Sequence, residues 1–284
     1  MFKDVLISMR PKQWYKNLVI FIGIVFSLNL LNFNLWINAI YAFIGFCLLS
    51  GSIYIINDYL DIENDRNHPV KCKRPLASGR LKASQGLFFS GIFIITALML
   101  TYMVNVGLLI TSLAFFSLMI IYSLFLKEIC LVDILTISTG FVLRAVAGCV
   151  AIGVLVSPWL ILCTFLLALF LAIGKRRHEL VLLKNKAGDH RKILSGYSRE
   201  MLDQMMNITT SALIMSYSIY AFLATNIYIM TTIPLAFYGI FRYLFLLHNQ
   251  DMGGEPEMLF KDRGMISCMF LWVIMVVGVL YFIK

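Results

Sequence analysis

Asn57-Asp58-Tyr59-Leu60-Asp61-Ile62-Glu63-Asn64-Asp65-Arg66 follows directly on an apolar run from Trp36 to Ile56, and His68-Pro69-Val70-Lys71-Cys72-Lys73-Arg74-Pro75 comes soon after. As a helix, the apolar run is long enough to cross a hydrocarbon core of about 30 Å, which places the polar stretch where the chain leaves the bilayer. If that helix continues a few turns past Ile56, Asn57, Asp61 and Asp65 recur at i, i+4 and i+8 and line one face over roughly 12 Å. Asp58 lies three residues before Asp61, at the edge of that face. Carboxylates crowded in this way repel one another unless a cation sits among them. An all-oxygen donor set suits Mg²⁺, which keeps waters and reaches substrate phosphates through one or two carboxylates. The plainer alternative is a solvated acidic helix end with ion pairs to Arg66, Lys71 or Arg74.

The rest of the chain repeats the apolar half of this pattern. Its 284 residues are 60% hydrophobic and 14% charged, whereas a soluble domain carries about 25% charged residues. The composition therefore reads as a polytopic membrane protein. Runs this long and this apolar argue helices over a barrel, because within lipid the backbone must satisfy its own hydrogen bonds. Nine candidate spans follow: 17–33, 36–56, 86–104, 107–126, 133–154, 157–174, 208–229, 231–247 and 265–283. Breakers mark their ends, among them Asn32, Asn34, Asn105, Gly107, Ser157-Pro158 and Pro234. Longer polar segments remain at 57–85, 175–207 and 248–264. With no linker and no internal repeat, residues 1–284 read as one transmembrane domain.

Threading the spans in alternation puts the N-terminus and all three polar segments on one side, with nearly every Lys and Arg. The other side has short connections and no charge apart from Lys284. By the positive-inside rule the charged side is cytoplasmic, and an odd number of spans sends the C-terminus outside. Lys3, Arg10, Lys12 and Lys16 precede the first span with no small-residue cleavage site, which reads as an uncleaved span. A net charge of +9 in so apolar a chain favours the membrane surface and anionic substrates over nucleic acid. The six cysteines lack C-x-x-C spacing and read as small buried hydrophobes. Self-association is left open.

Cations gather at a second point. Gly174-Lys175-Arg176-Arg177-His178-Glu179 closes the sixth span. A pair of guanidinium groups is suited to clamp phosphate oxygens, with membrane anchoring as the bland alternative; Glu179 lies four residues after Lys175 and could pair with it or share a metal. Arg144 falls about 16 Å along a helix that starts at Asp133, deep in the bilayer, where a cation faces the bundle interior and marks function or a structural post. Ile137, Gly140 and Arg144 share a helix face with Asp133. Arg242 could snorkel from the end of the eighth span. Tyr122 and Lys127 close the fourth. Arg10, Lys12, Trp14, Tyr15 and Lys16 form an interfacial belt that could also meet a lipid phosphate.

Asn57-Asp58-x-x-Asp61-x-x-x-Asp65-Arg66 at the end of the second of nine helices resembles the first motif of the UbiA superfamily of intramembrane prenyltransferases, and the resemblance covers nearly the whole chain. It implies a nine-helix, all-α bundle with a cytoplasm-facing active-site cavity, and Mg²⁺ held on a diphosphate. One departure stands out. Where the aromatic prenyltransferases carry a second D-x-x-x-D after the sixth helix, this chain reads Lys175-Arg176-Arg177-His178-Glu179. Four stretches instead resemble the decaprenyl-phosphate phosphoribosyltransferase branch: Arg10-Pro11-Lys12-Gln13-Trp14-Tyr15-Lys16-Asn17, His68-Pro69-x-Lys71-x-x-Arg74-Pro75, Gly140-Phe141-Val142-Leu143-Arg144-Ala145 and Phe241-Arg242-Tyr243-Leu244.

That branch implies a polyprenyl phosphate acceptor, a 5-phosphoribosyl diphosphate donor, cell-envelope lipid synthesis and a prokaryotic plasma membrane. One acidic and one basic cluster match a donor with a diphosphate at C1 and a monophosphate at C5. The candidate set is then Asp58, Asp61 and Asp65 as catalytic carboxylates, and Asn57, Asp61 and Asp65 as Mg²⁺ ligands. Substrate contacts fall to Lys16, Arg66, Lys71, Arg74, Tyr122, Lys127, Arg144, Lys175, Arg176, Arg177, Glu179 and Arg242. Two other readings compete. One is a UbiA-type enzyme moving an isoprenoid from its diphosphate to an aromatic or other small acceptor. The other is a transporter, which would more naturally show paired broken helices and polar groups at the midplane.

Overall fold

The computed structural model describes residues 1–184, 192–224, 226–249 and 261–283. Lys284 and parts of the polar segments 175–207 and 248–264 lie outside the described residues. Every regular element among the described residues is helical: α1 (Phe2–Ser8), a 3-10 helix (Pro11–Phe21), α2 (Ile22–Phe26), α3 (Phe33–Leu60), α4 (Ile62–Arg66), α5 (Ala83–Val104), α6 (Val106–Leu124), α7 (Val132–Ala151), α8 (Pro158–Lys184), α9 (Arg199–Leu223), α10 (Ile233–Asn249) and α11 (Arg263–Phe282), with short 3-10 turns between. The all-α expectation holds.

Seven helices among the described residues are long and apolar enough to cross a membrane: Phe33–Leu60, Ala83–Val104, Val106–Leu124, Val132–Ala151, Pro158–Val181, Ile227–His248 and Arg263–Phe282. The two remaining expected spans differ for separate reasons. The stretch expected at 17–33 is divided between the 3-10 helix and the five residues of α2. The stretch expected at 208–229 lies largely in α9, whose Ser, Thr and Tyr residues lower its hydropathy.

The chain divides into two compact units, Met1–Leu124 with Leu143–Val156, and Phe125–Val142 with Ser157–Lys284. In the first, α3 packs along α5. Ser52 Oγ shares its proton between the Leu48 carbonyl at 2.9 Å and the Ser90 carbonyl at 3.3 Å, and Ser90 Oγ donates to the Ser52 carbonyl at 3.4 Å. Such reciprocal bonds need backbones drawn close by small side chains, as in helix pairs within lipid generally; a Cβ on Gly45 would lie 2.9 Å from Thr101. Ile20, Ala42, Phe46, Leu49, Ile53, Ala97, Leu108, Phe115, Ala147 and Ala151 form the core here. Gly148 admits the 3-10 helix: a Cβ there would stand 1.9 Å from the Ile20 carbonyl oxygen.

The second unit is centred on Ile134, Phe170, Ile173, Leu202, Met206, Tyr243 and Leu247. A Cβ on Gly174 would meet the Tyr243 hydroxyl at 2.1 Å, so glycine lets that ring pack against α8. All six cysteines are free thiols; Cys47, Cys149 and Cys268 are buried as expected, while Cys72, Cys130 and Cys163 are only half-buried.

At 28 residues, α3 is about 42 Å long at 1.5 Å per residue, longer than a hydrocarbon core of about 30 Å. Its polar last turn therefore lies toward a membrane surface. Two boundaries correct the sequence reading. The helix turns a corner at Asp61 (φ −97°, ψ 9°) rather than running straight on, although Asp61 N still donates to the Asn57 carbonyl (3.0 Å) and Asp65 N to the Asp61 carbonyl (2.8 Å). At the other cluster, Lys175–Glu179 lies inside α8, which runs on to Lys184, and not at the start of a loop.

Gly148→Ala is expected to lower the apparent melting temperature in detergent, since overpacking against backbone costs about 1–3 kcal/mol. Gly91→Ala, whose Cβ would meet nothing within 4 Å, should leave it unchanged.

Candidate active site

The acidic stretch holds two carboxylates that are nearly out of solvent. Asp58 is 2% exposed and Asp65 likewise 2%. Ionised carboxylates survive such burial only with cations or several donors on their oxygens. Arg74 supplies one cation to both, with its Nη1 3.1 Å from Asp58 Oδ1 and also bonded to Asp65 Oδ2. Arg10 Nη2 supplies a second to Asp58 Oδ1. The corner at Asp61 changes which side chains meet. Asp58, expected at the edge of the face, is the partner of Asp65 through Arg74. Asp61 Oδ2 accepts from Asn57 Nδ2 at 3.0 Å, which leaves the side-chain Oδ1 as the oxygen Asn57 could offer a cation.

Arg10 is held for this contact by its backbone and by a ring. It has φ 52° and ψ 62° directly before Pro11, an uncommon conformation for a residue with a side chain, of the kind found where a site demands it. Its guanidinium lies 4.8 Å from the centroid of the Tyr54 ring, one helical turn before Asp58. Sequence reading placed Arg10 in an interfacial belt and left it out of the candidate set. The Arg-Pro pair, whose proline constrains the residue before it, was the available signal.

Other predicted residues of the first unit turn elsewhere. Arg66 is exposed and its Nε reaches the Ala77 carbonyl at 3.4 Å. Lys16 Nζ bonds the Gln13 side chain at 3.2 Å. Lys71 is half-buried and donates its backbone N–H to His68 Nδ1 at 3.2 Å. Tyr122 ends α6, half-buried. Arg144 is 7% exposed, donates from Nε to Asn17 Oδ1 at 2.8 Å and stacks 4.5 Å from the Phe115 ring centroid. It ties α7 to the 3-10 helix that starts just after Arg10. Asn17, a residue that sequence reading did not single out, is its partner.

In the second unit the expected phosphate clamp is already engaged with carboxylates. Arg176 Nε donates to Asp133 Oδ2 (2.7 Å) and its Nη1 to Glu179 Oε2 (2.6 Å), one helical turn on. Asp133, fully buried, also accepts from Tyr197 Oη at 2.7 Å, and that same hydroxyl accepts from Leu131 N at 2.8 Å. Burial, reinforced by the bond to Asp133, holds the Tyr197 phenol well above its ordinary value and keeps it a donor. Arg177 Nε donates to Asp203, yet its Nη2 is buried without a hydrogen-bond partner among the described residues. Arg242 grips Asp262 with two bonds, Nε to Oδ1 at 3.1 Å and Nη2 to Oδ2 at 2.8 Å, and Asp262 Oδ1 caps α11 through Met265 N at 2.7 Å. Lys175 lies in α8 and Lys127 in the 3-10 turn Leu126–Glu128.

Among the described residues no three His, Cys, Asp or Glu side chains form a ready metal cluster. The donor chemistry nevertheless fits a hard divalent ion. Asp58 and Asp65 converge on one cationic nitrogen, that of Arg74, and Mg²⁺ needs only one or two carboxylates when substrate phosphates complete its shell.

The model of the UbiA prenyltransferase family matches residues 18–274. The decaprenyl-phosphate phosphoribosyltransferase of Mycolicibacterium smegmatis is 29% identical over 97% of this chain and 92% of its own. That of Corynebacterium glutamicum is 29% identical over 96% of this chain and 86% of its own. Among solved structures, a UbiA homologue from Archaeoglobus fulgidus bound to GPP and Mg²⁺ superposes with a TM-score of 0.75 at 17% identity, covering 99% of both chains. That likeness shows the fold.

Tyr197→Phe removes one donor from the buried Asp133 and the side-chain acceptor of the Leu131 N–H; it is expected to cost about 1–3 kcal/mol, read as a lower melting temperature in detergent. Asp262, held below its ordinary value of 3.8 chiefly by the Arg242 hydrogen bond, gives a pH signature. A depressed carboxylate pKa contributes stability that is complete above the unfolded value and lost as pH falls through the folded one. Asp262→Asn retains a capping side chain but not the charge. It should melt lower than the parent protein at pH 7, with the gap closing as pH falls below about 4.

Proposed function

The chain belongs to the UbiA prenyltransferase family, a transferase built of membrane-spanning helices, and from that premise we propose that it moves 5-phosphoribose from phosphoribosyl diphosphate to a polyprenyl phosphate. The observation that carries the proposal is the pair of buried carboxylates, Asp58 and Asp65, converging on a single cation. It occurs in a chain that aligns over nearly its full length with enzymes named for this reaction. The absence of a second D-x-x-x-D after the sixth predicted span weighs against an aromatic prenyl acceptor.

Asp58, Asp61 and Asp65, with the side-chain Oδ1 of Asn57, are the oxygen donors that would hold Mg²⁺. Bound there, the ion would neutralise charge on the departing pyrophosphate. In the reaction an acceptor phosphate oxygen bonds to C1 of the ribose as the bond from C1 to pyrophosphate breaks, through an oxocarbenium-like state of the kind seen in glycosyl transfer. The acceptor oxygen is ionised at neutral pH, so no strong general base is required. The work of the protein is orientation, electrostatic stabilisation and exclusion of water. Arg177, with its buried Nη2, is the cation best placed within its own unit to take a phosphoryl oxygen. Lys16, Arg66, Lys71, Tyr122, Lys127 and Lys175 remain candidates for the donor and acceptor phosphates. We assign Arg144, Arg176, Glu179 and Arg242 to positioning, because each is spent on a neighbouring side chain.

We place the protein in a prokaryotic plasma membrane, crossing it nine times, with Pro11–Phe26 and α9 joining the seven apolar helices. The N-terminus and the acidic stretch are then cytoplasmic and the C-terminus external, following the distribution of Lys and Arg. Residues 1–284 act as one transmembrane domain in this reading.

Protein purified in detergent with Mg²⁺, a polyprenyl phosphate and labelled phosphoribosyl diphosphate should yield a labelled lipid. A prenyl diphosphate with hydroxybenzoate should yield none, and the opposite pattern would establish the prenyl-transfer alternative. Asp65→Asn and Asp61→Asn should each lower the rate at least ~100-fold while the protein remains folded. Undiminished turnover would remove them from the site.

A further inference from the structure

Arg10 and Arg74 bind the same carboxylate oxygen, Asp58 Oδ1, yet they are built differently. Arg10 is fixed by its left-handed backbone, by Pro11 and by the Tyr54 ring. Arg74 sits in extended backbone (φ −63°, ψ 145°) just past a three-residue 3-10 turn, within the connection between α4 and α5. Its side chain is 25% exposed, about as much as that of Arg10 (24%), while the carboxylates it bridges are 2% and 3% exposed. The two cations are equally exposed and differ in how they are held: Arg10 by its backbone and a ring, Arg74 by a loop.

Charge then limits what can share the site. Asp58 and Asp65 carry two negative charges and already face two guanidinium groups. A divalent ion on the same oxygens would bring four positive charges against the two negative ones of this pair, or three with Asp61, at separations where like charges repel strongly even in a partly screened setting. An incoming diphosphate reverses that balance. It brings negative oxygens that a guanidinium fork can bind as well as it binds carboxylate.

We propose that Arg74 is a displaceable counter-ion: it neutralises Asp58 and Asp65 and competes with the divalent ion for them, yielding when a diphosphate is present to receive its guanidinium. Metal alone then binds poorly, and metal and donor bind in concert. This inference rests on the metal reading given above and adds a coupling between metal and donor that the reading does not require.

The test is Mn²⁺ affinity of the full chain in detergent, followed by electron paramagnetic resonance without donor or acceptor. Arg74→Gln removes the competing charge and should bind Mn²⁺ at least about tenfold more tightly than the parent protein, a change of about 1.4 kcal/mol. Phosphoribosyl diphosphate added without acceptor should tighten Mn²⁺ on the parent and do so less on Arg74→Gln, because the displaced group is already gone. Arg74→Lys, which keeps the charge but offers a single ammonium in place of the fork, covers the case in which Arg74→Gln does not fold. It should bind Mn²⁺ several-fold more tightly. Unchanged or weaker Mn²⁺ binding in the variants overturns the counter-ion role. Asp65→Asn separates the two readings. If it leaves Mn²⁺ affinity unchanged, the metal site itself is misassigned; if it weakens Mn²⁺ while the Arg74 variants do not tighten it, the metal site stands and only the competition falls.

Discussion

Ionised carboxylates at the edge of a hydrocarbon layer, nearly stripped of water, are the constraint around which the polar parts of this protein are arranged. Asp58 and Asp65 are each 2% exposed and Asp133 is fully buried. Such groups stay charged only where guanidinium or hydroxyl donors reach their oxygens, and removing one partner from a buried pair costs about 3–5 kcal/mol. Each carboxylate here has met that demand with arginine, whose charge persists on burial and whose planar fork spans two acceptors at once.

The same pairing has opposite consequences in the two units. Around Asp133 it is closed. Tyr197 and Arg176 occupy both oxygens, Arg176 turns its other arm to Glu179, and the Tyr197 hydroxyl satisfies the backbone of Leu131. A network so fully satisfied fixes α8 to the start of α7 and rigidifies what it touches. Around Asp58 and Asp65 the pairing is less closed, since both of its cations are about a quarter exposed and one of them rides on a loop.

Helix packing delivers the open cluster to its place. The small residues along α3 and α5 let their backbones share hydrogen bonds through Ser52 and Ser90. Gly148 lets the 3-10 helix lie against α7, where Arg144 holds Asn17. Asn17 is seven residues from Arg10, so a buried cation of α7 helps position the segment from which Arg10 reaches Asp58. Arg144 thus behaves as a post set deep in the first unit.

Much of this was legible in the chain itself. Hydropathy and run length favoured helices over a closed barrel, because lipid offers the backbone no partner outside the chain and barrel strands alternate rather than run apolar for about 20 residues. The acidic stretch was visible as the place to look, since four oxygen-bearing side chains at helical spacing are costly without a cation. Helix ends were less secure. Polar residues at the end of an apolar run do not stop a helix, so α8 continued through Lys175–Glu179, and a single corner at Asp61 moved Asp58 into the centre. What composition and spacing determined was a helical membrane protein with an acidic cluster and a basic cluster. Which arginine meets which carboxylate was decided only by tertiary structure: Arg10 lies 48 residues from Asp58, and Arg176 lies 43 residues from Asp133. Pairing across such separations is set by how helices pack, and periodicity along one helix carries no record of its neighbour.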